Sequence, residues 1–213
     1  MNKPLGTKRD LQVIALFQIG WHESAKRVNE RGNVNRIIQL DPERVTGKTK
    51  KLFDDVQGRL GIVPNVFRVL GNAPAALEGY LNFDGALAGG SFDGKIREQI
   101  ALAVAESNLC RYSLVAHAFT GGRAGLTEKE IADAARSIAA TAKTEAILKL
   151  ARDIVVQRGE VSDADLEHAR TSGLTDGEIV ETVANVALNI LTNYVNHVAR
   201  TVVDFAEMKG RPR

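Results

Sequence analysis

The 213-residue chain is 44% hydrophobic and 25% charged, and it contains a single cysteine. These proportions are typical of a globular domain with a sizeable core, and they exclude wholesale disorder. One cysteine excludes an intrachain disulfide and a zinc site built from several thiolates, and it favours a reducing compartment such as the cytoplasm. The formal net charge is only +2, so no global field attracts nucleic acid or an anionic membrane.

The charge is unevenly distributed. Residues 1–38 hold seven Lys and Arg against three Asp and Glu, a balance of +4, so residues 39–213 carry −2. We therefore expect a basic, partly helical N-terminal arm over 1–38 and a helical domain over 39–213. Two glutamines interrupt the apolar stretch at 11–21, and no cleavage site follows it, so we expect neither a secretory signal nor a membrane span.

Helical spacing of apolar residues continues through almost all of the chain after residue 39. Asp41 followed by Pro42 is typical of a helix start, and Asn65 and Asp93 are candidate caps of later helices. We predict helices at about 42–60, 65–70, 75–87, 94–105, 110–124, from Thr127, 142–158, 162–171 and 176–207. Alternating strand patterns are scarce, so the predicted fold class is all-α.

A short motif occurs twice. Gly-Leu-Thr-Glu-Lys-Glu-Ile at 125–131 is repeated as Gly-Leu-Thr-Asp-Gly-Glu-Ile at 173–179. Each copy predicts a glycine helix stop followed by a capping box, in which a threonine and the glutamate three residues later satisfy the first amides of a helix. The repetition indicates either an internal duplication of a helical hairpin or two independent capping boxes.

The last predicted helix is apolar around most of its circumference, from Val180 to Val195. Such a helix either lies at the centre of a domain or is shared with another subunit. We therefore expect a homo-oligomer.

Three polar side chains share one face of the helix predicted at 110–124. Cys110, Ser113 and His117 stand at i, i+3 and i+7, within two turns of one another. If Asn108 caps this helix, Cys110 lies in its first turn, where the helix dipole favours a thiolate. His117 could then accept a proton, and Glu98 on the preceding helix could orient the imidazole. In a purely structural alternative, the cysteine packs as a small apolar residue and the serine bonds its own backbone.

The spacing Glu98-x11-Cys110-x2-Ser113-x3-His117 resembles that of the alkylhydroperoxidase D / carboxymuconolactone decarboxylase family, in its peroxidase-related branch. The resemblance extends from about residue 40 to 205. It implies an all-helical hairpin fold that assembles into trimers or hexamers. In redox members, it implies a Cys-x-x-Cys pair that reduces hydroperoxides and is recycled by a partner dithiol. We predict no bound cofactor for this chain.

The family's first cysteine corresponds to Cys110, its histidine to His117 and its relay glutamate to Glu98. Its second cysteine, the one usually assigned as reactive, corresponds to Ser113. Because serine forms neither a sulfenic acid nor a disulfide, the full dithiol cycle cannot operate in this chain.

Three functions are compatible with this departure. Cys110 alone could reduce a hydroperoxide and be recycled by an external thiol. Glu98 and His117 could instead act as acid and base on a small carboxylate or lactone, with Ser113 or Tyr112 as a polar contact. The protein could also be an oligomeric binding or sensor protein. A Ser113–His117–Glu98 hydrolase triad is the least favoured, because no glycine-rich nucleophile elbow accompanies it.

Two further residues are candidates for the substrate pocket. Asn193 and His197 stand at i and i+4 of the last predicted helix and share a face, where they could line the site or cap a neighbouring helix. The remaining histidines have no partners at metal-ligand spacing, so we predict no metal site.

Overall fold

The computed structural model describes residues 36–205. Within this range the chain forms nine α-helices and no strand. The helices are α1 (Gly47–Leu60), α2 (Asn65–Leu70), α3 (Pro74–Leu87), α4 (Gly94–Ser107), α5 (Arg111–Ala124), α6 (Glu128–Ala135), α7 (Ala142–Val156), α8 (Asp163–Thr171) and α9 (Asp176–Ala199). The all-α fold class is therefore confirmed. The arm predicted over 1–38 lies almost wholly outside the described residues.

The chain divides into two compact units. The described part of the first consists of residues 36–82 and 194–205, and the second consists of residues 83–193. In the first unit, the start of α2 is fixed by the C-terminal segment, because Asn65 donates its backbone N–H to Asp204 at 2.9 Å and its side-chain amide to the Val202 carbonyl at 3.0 Å. The rings of Phe67 and Tyr80 pack together at a centroid distance of 5.6 Å.

Helix α4 is the centre of the second unit. It packs against α5, α6 and α7, and seven consecutive residues, 99–105, are buried. Three of these are alanines, whose small side chains allow neighbouring helices to approach from several directions. The cap predicted at Asp93 is present, because its carboxylate accepts the Ile96 amide at 2.9 Å. The helix that carries Glu98 is therefore held by three neighbouring helices.

Both predicted capping boxes are present. Thr127 and Glu130 exchange hydrogen bonds at the start of α6, and Thr175 and Glu178 do so at the start of α9. A third box, between Ser162 and Asp165, begins α8. The third box shows that such caps arise here outside the repeated motif.

Two predicted helix boundaries were wrong. The first helix begins at Gly47 rather than Pro42, because Asp41 accepts the Glu43 amide in a local turn and the chain is extended at Thr46. The last helix ends at Ala199 rather than 207. Arg200 adopts a left-handed conformation (φ 53°), and the Thr201 amide bonds back to the Asn196 carbonyl at 3.1 Å. This is a Schellman stop, which usually requires glycine and is therefore not signalled by arginine.

The cap predicted at Asn65 was also wrong by one residue. Asn65 is the first residue of α2 and Pro64 occupies the capping position.

Among the described residues, no helix is long and apolar enough to cross a membrane.

The capping box of α9 makes stability depend on pH. The Lys143 ammonium, at 2.7 Å, and the Thr175 amide hold the pKa of Glu178 below its ordinary value of 4.5. The stabilisation is therefore fully present above pH 4.5 and is lost as the pH falls through the lowered pKa. We expect Glu178→Ala to reduce the free energy of unfolding by about 1 kcal/mol at pH 7 and by much less near pH 3. Urea denaturation at both pH values measures this difference. The exposed Glu167→Ala, on α8, is the matched control and should change little at either pH.

Candidate functional site

The site begins at the turn between α4 and α5. Only Asn108, Leu109 and Cys110 connect the two helices. The Cys110 amide bonds to the Ala105 carbonyl at 2.8 Å and the Leu109 amide bonds to the Glu106 carbonyl at 2.9 Å, which is a Schellman motif. Leu109 occupies its left-handed position, with φ 52°, although glycine is the usual residue there. The turn reverses the chain directly before the cysteine.

This geometry changes the expected capping. Asn108 is the C-cap of α4 and does not cap α5, so the expectation for its role was wrong. Cys110 itself occupies the N-cap position of α5, immediately before the first turn where it was predicted. The sulfur therefore stands at the positive end of the α5 dipole, as the sequence suggested, although one residue earlier.

The Cys110 sulfur is buried and lies among polar atoms. The residue is 1% exposed. Its Sγ lies 3.3 Å from Ser113 Oγ and 3.8 Å from the Asn193 carbonyl oxygen. The predicted proximity of Cys110 and Ser113 is therefore present. An inert cysteine would pack against apolar atoms. At these contacts the Cys110 sulfur instead donates its proton to the Ser113 hydroxyl.

Asn193, on α9, joins the polar side chains of this turn. Its Nδ2 donates to Ser113 Oγ at 3.0 Å, its Oδ1 accepts from Asn108 Nδ2 at 3.2 Å, and its carbonyl faces the Cys110 sulfur. The side chain is fully buried. A buried amide with both ends bonded has one orientation, so Asn193 fixes the position of the Ser113 hydroxyl.

A second cluster lies further along the same face of α5. His117 Nδ1 is 2.9 Å from Glu98 Oε2, and Thr120 Oγ1 donates to the same carboxylate oxygen at 2.6 Å. Glu98 therefore faces His117, as the sequence predicted. A Cβ at Gly121 would lie only 3.1 Å from the Leu126 Cδ1, so the missing side chain makes room for Leu126, whereas it would meet the Glu98 Cβ at an ordinary 3.7 Å.

The arrangement leaves one histidine nitrogen available for chemistry. A neutral His117 donates its Nδ1 proton to Glu98, so Nε2 carries the free lone pair. No residue within 36–205 hydrogen-bonds to Nε2, and the imidazole is 20% exposed. Since the carboxylate fixes the tautomer and the ring orientation, Nε2 is suited to accept or donate a proton.

The structure separates the predicted site into two groups. The side chains of Cys110 and Ser113 contact Asn193 of α9, whereas the His117 imidazole bonds to Glu98 of α4, which is its only hydrogen-bond partner within 36–205. A proton transfer between the sulfur and His117 would therefore require Ser113, one turn away, or a bound molecule as an intermediate carrier. The direct thiol–imidazole contact that the spacing suggested is not formed.

The other predicted pocket residues differ in position. Tyr112 is buried beside Ser113, about 100° around α5 from it. His197 is exposed and belongs to the unit of residues 36–82 and 194–205, whereas Asn193 belongs to the unit that holds the site. Within the described range, no three His, Cys, Asp or Glu side chains are placed to hold a metal ion.

Sequence reasoning missed two members of the site. Thr120 stands three residues after His117 and seven after Ser113, so helical spacing already placed it on the same face. Asn108 was assigned as a cap and instead bonds to Asn193.

Glu106, one turn before the Schellman stop, is partly buried, and this burial raises its pKa above the ordinary value.

Comparison with known proteins supports the resemblance seen in the sequence. Residues 74–155 match the profile of the carboxymuconolactone decarboxylase family, and this segment contains Glu98, Cys110, Ser113, His117 and Thr120. The match covers less than half of the chain. The family match ends before α9, so Asn193 lies outside the matched segment.

Solved structures share the fold of this chain. A peroxidase-related protein from Silicibacter sp. TM1040 is 23% identical with a TM-score of 0.72, covering 86% of this chain and 97% of that one. An alkylhydroperoxidase AhpD core protein from Ralstonia eutropha JMP134, also described as peroxidase-related, is 24% identical with a TM-score of 0.69, covering 84% and 98%.

The fold also occurs with another activity. The debrominase Bmp8, solved as a cysteine-to-alanine variant with 2,3,4-tribromopyrrole, is 13% identical with a TM-score of 0.68, covering 81% of this chain and 94% of that one. No curated protein matches this sequence. The likenesses establish an alkylhydroperoxidase-type fold, and the chemistry must be argued from the side chains.

The Schellman turn provides a test of the local strain. A left-handed backbone costs an L-residue about 1–2 kcal/mol, and glycine avoids this cost while losing about 0.5–1 kcal/mol of unfolded-state entropy. Leu109 is 66% exposed and packs little. We therefore expect Leu109→Gly to raise the free energy of unfolding by about 0.5–1 kcal/mol in urea denaturation. Leu109→Ala keeps the Cβ and is the control. A similar gain with alanine would show that relief of backbone strain is not the cause.

Proposed function

We propose that this protein is a thiol-dependent oxidoreductase of the peroxidase-related type, in which Cys110 reduces a small hydroperoxide. The contact between Cys110 Sγ and Ser113 Oγ, with Ser113 held in place by Asn193, is the observation that carries the proposal. A cysteine that only filled space would not require a fixed hydroxyl beside its sulfur.

The chain of donors is arranged to stabilise a thiolate. Asn193 Nδ2 occupies one lone pair of Ser113 Oγ, and in the resting thiol the sulfur proton points at the same oxygen. When the sulfur loses its proton, the hydrogen bond between Cys110 and Ser113 reverses, so that the Ser113 hydroxyl donates to the negative sulfur. Hydrogen bonds to charged groups are worth about 1.5–3 kcal/mol, roughly twice the neutral value, and the N-terminus of α5 adds to the stabilisation.

The reaction balances with one protein thiol and one external reductant. The thiolate attacks one peroxide oxygen, the O–O bond breaks, and Cys110 becomes a sulfenic acid. The leaving alkoxide takes a proton from His117 Nε2, which holds the proton released by the thiol, and an alcohol or water departs. Two equivalents of an external thiol then return the sulfenic acid to the thiol and form one disulfide and water. Because the chain has a single cysteine, the reductant lies outside it.

The burial of the sulfur favours small hydroperoxides. The Cys110 residue is almost fully covered, whereas the imidazole of His117 and the carboxylate of Glu98 reach solvent. A substrate therefore meets the His117–Glu98 pair first, and a bulky peroxide is excluded from the sulfur. An abundant external thiol is typical of the reducing compartment that the single cysteine favours, which makes the cytoplasm the proposed location.

The same exposure favours a second candidate function. Glu98, His117 and Thr120 form a connected group that solvent reaches, and it could exchange protons with a small carboxylate or lactone without the thiol. In that case Cys110 and Ser113 would serve only to join α5 to α9. The two functions differ in whether turnover requires the sulfur.

Peroxide consumption in the presence of a small thiol distinguishes the two functions. We expect Cys110→Ala to abolish turnover, because it removes the nucleophile. We expect His117→Ala to slow turnover by about 100-fold, since general acid catalysis contributes about that much. The exposed His168→Ala is the matched control and should behave as the unmodified protein.

The outcome for the cysteine variant is decisive. Undiminished peroxide consumption by Cys110→Ala contradicts the thiol proposal. The acid–base function is correct if neither the unmodified protein nor Cys110→Ala consumes peroxide, but both convert a carboxylate or lactone. In that case Glu98→Gln should abolish the conversion.

A further inference from the structure

The carboxylate of Glu98 uses its two oxygens unequally. Its Oε2 accepts from both His117 Nδ1, at 2.9 Å, and Thr120 Oγ1, at 2.6 Å. Within residues 36–205 no hydrogen bond reaches Oε1, and the side chain is 24% exposed. Two donors from α5 therefore converge on one oxygen from α4. The proposed reaction uses the imidazole but not the threonine hydroxyl.

Thr120 has two acceptors within reach but only one hydroxyl proton. Its Oγ1 lies 2.6 Å from Glu98 Oε2 and 3.1 Å from the Ala116 carbonyl oxygen, one turn earlier on α5. The shorter distance is typical of a hydroxyl that donates to a charged oxygen, and the longer one exceeds the usual range of O–H···O bonds. The proton therefore points at Glu98, and the short distance is the one expected for an ionised carboxylate.

The Ala116 carbonyl helps to hold the threonine in this orientation. In one of the two rotamers that threonine adopts on a helix, the hydroxyl approaches the carbonyl four residues earlier. At Thr120 this rotamer also points the hydroxyl toward α4, since Thr120 follows His117 by three positions and shares its side of α5. The donor to Glu98 is therefore in place before any substrate binds.

The ordinary state of a histidine side chain is unsuited to this site. A neutral imidazole in water carries its proton mainly on Nε2, which is the nitrogen that must accept a proton in the proposed reaction. At His117 the proton is needed on Nδ1 instead, and the Glu98 carboxylate is the acceptor that holds it there. The position of this carboxylate therefore decides which nitrogen of His117 is free.

A carboxylate with one donor would not be held as firmly. Glu98 is partly exposed, so with His117 as its sole partner it would be free to turn toward water. Thr120 adds a second bond to the same oxygen, and hydrogen bonds to charged groups are roughly twice as strong as neutral ones. Only one orientation of the carboxylate satisfies both donors. Removal of the hydroxyl would release the carboxylate, and with it the preference of the His117 proton for Nδ1.

From these contacts we infer that Thr120 is a positioning residue for His117. By donating to Glu98 Oε2 it keeps that oxygen in place as the acceptor of the Nδ1 proton, so that Nε2 stays unprotonated and ready for proton transfer. This role rests on the proposed function for the use of His117, but the tautomer is set in the absence of substrate. Loss of the tautomer can therefore be measured separately from loss of the thiol chemistry.

Solid-state nitrogen NMR of the full chain, with histidine isotopically labelled only at Nε2, measures the tautomer directly. At about pH 8, where an ordinary histidine is neutral, we expect an unprotonated Nε2 for His117 in the unmodified protein. In Thr120→Val, which keeps the branched shape but lacks the hydroxyl, we expect Nε2 to be protonated in most molecules. Thr120→Ser restores the donor and should restore the unprotonated signal. The spectrum of His117→Ala identifies the His117 signal among the 4 histidines.

Thr171→Val, on α8, is the matched control. Within the described residues the Thr171 hydroxyl bonds only to carbonyl oxygens of its own helix, at 3.0 Å and 3.1 Å, so its removal should leave the His117 signal unchanged. A protonated Nε2 in the unmodified protein, or an equally unprotonated Nε2 in Thr120→Val, overturns the inference.

Turnover of a small hydroperoxide with a small thiol is the second readout. We expect Thr120→Val to lower kcat about tenfold with little change in KM, since the hydroxyl acts through Glu98 and not on the substrate. Thr120→Ser should retain most of the rate, and Thr171→Val all of it. An equal loss in Thr120→Ser and Thr120→Val would show that the hydroxyl is not the cause and would overturn the inference. If Thr120→Val changes the tautomer but even the unmodified protein consumes no peroxide, the proposed function fails and the positioning role stands.

Discussion

The three-residue turn between α4 and α5 sets the positions of Cys110, Ser113 and His117 relative to Glu98. Two Schellman hydrogen bonds and the left-handed Leu109 reverse the chain so tightly that α5 returns directly along α4. This return places His117 against Glu98 and leaves Cys110 at the first capping position of α5. A longer loop would allow α5 to rotate, and a rotation of one residue would move His117 by about 100° away from Glu98.

Helix α9 supplies the second constraint. Through Asn193 it connects the turn, the sulfur and the Ser113 hydroxyl, and it does so with a side chain that has no exposure to water. Buried polar networks are costly unless every member is bonded, and when they are bonded they hold one geometry. The serine therefore has a definable role beside Cys110. Its hydroxyl is held in place and accepts from both Asn193 and Cys110, at the position where the family resemblance implies a second sulfur.

The sequence was most informative where chemistry and spacing act locally. Helical period placed Cys110, Ser113 and His117 on one face, and the capping boxes of α6 and α9 were recognisable because threonine and glutamate interact at a fixed separation. Glu98 could be paired with His117 because a short turn between two helices makes them antiparallel neighbours.

Other features depend on the fold as a whole. The Schellman stops at Leu109 and Arg200 lack glycine, so nothing in the residue type signals them. The role of Asn193 requires α9 to meet a turn more than eighty positions earlier, and no local pattern encodes that distance. The apolar composition of α9 predicted a helix that is either central to its domain or shared with another subunit, but burial was needed to show that several of its asparagines face inward.

The central claim is that Ser113, held by Asn193, activates the Cys110 sulfur as a nucleophile. The most direct measurement is the rate at which one equivalent of hydrogen peroxide adds a single oxygen to Cys110, with the sulfenic acid trapped by dimedone and located by peptide mass spectrometry. We expect the adduct on Cys110 in the unmodified protein and a rate about tenfold lower in Ser113→Ala, since loss of a charge-assisted hydrogen bond costs about 1.5 kcal/mol or more. An adduct that forms equally fast without the Ser113 hydroxyl, or does not form at all, would contradict the claim.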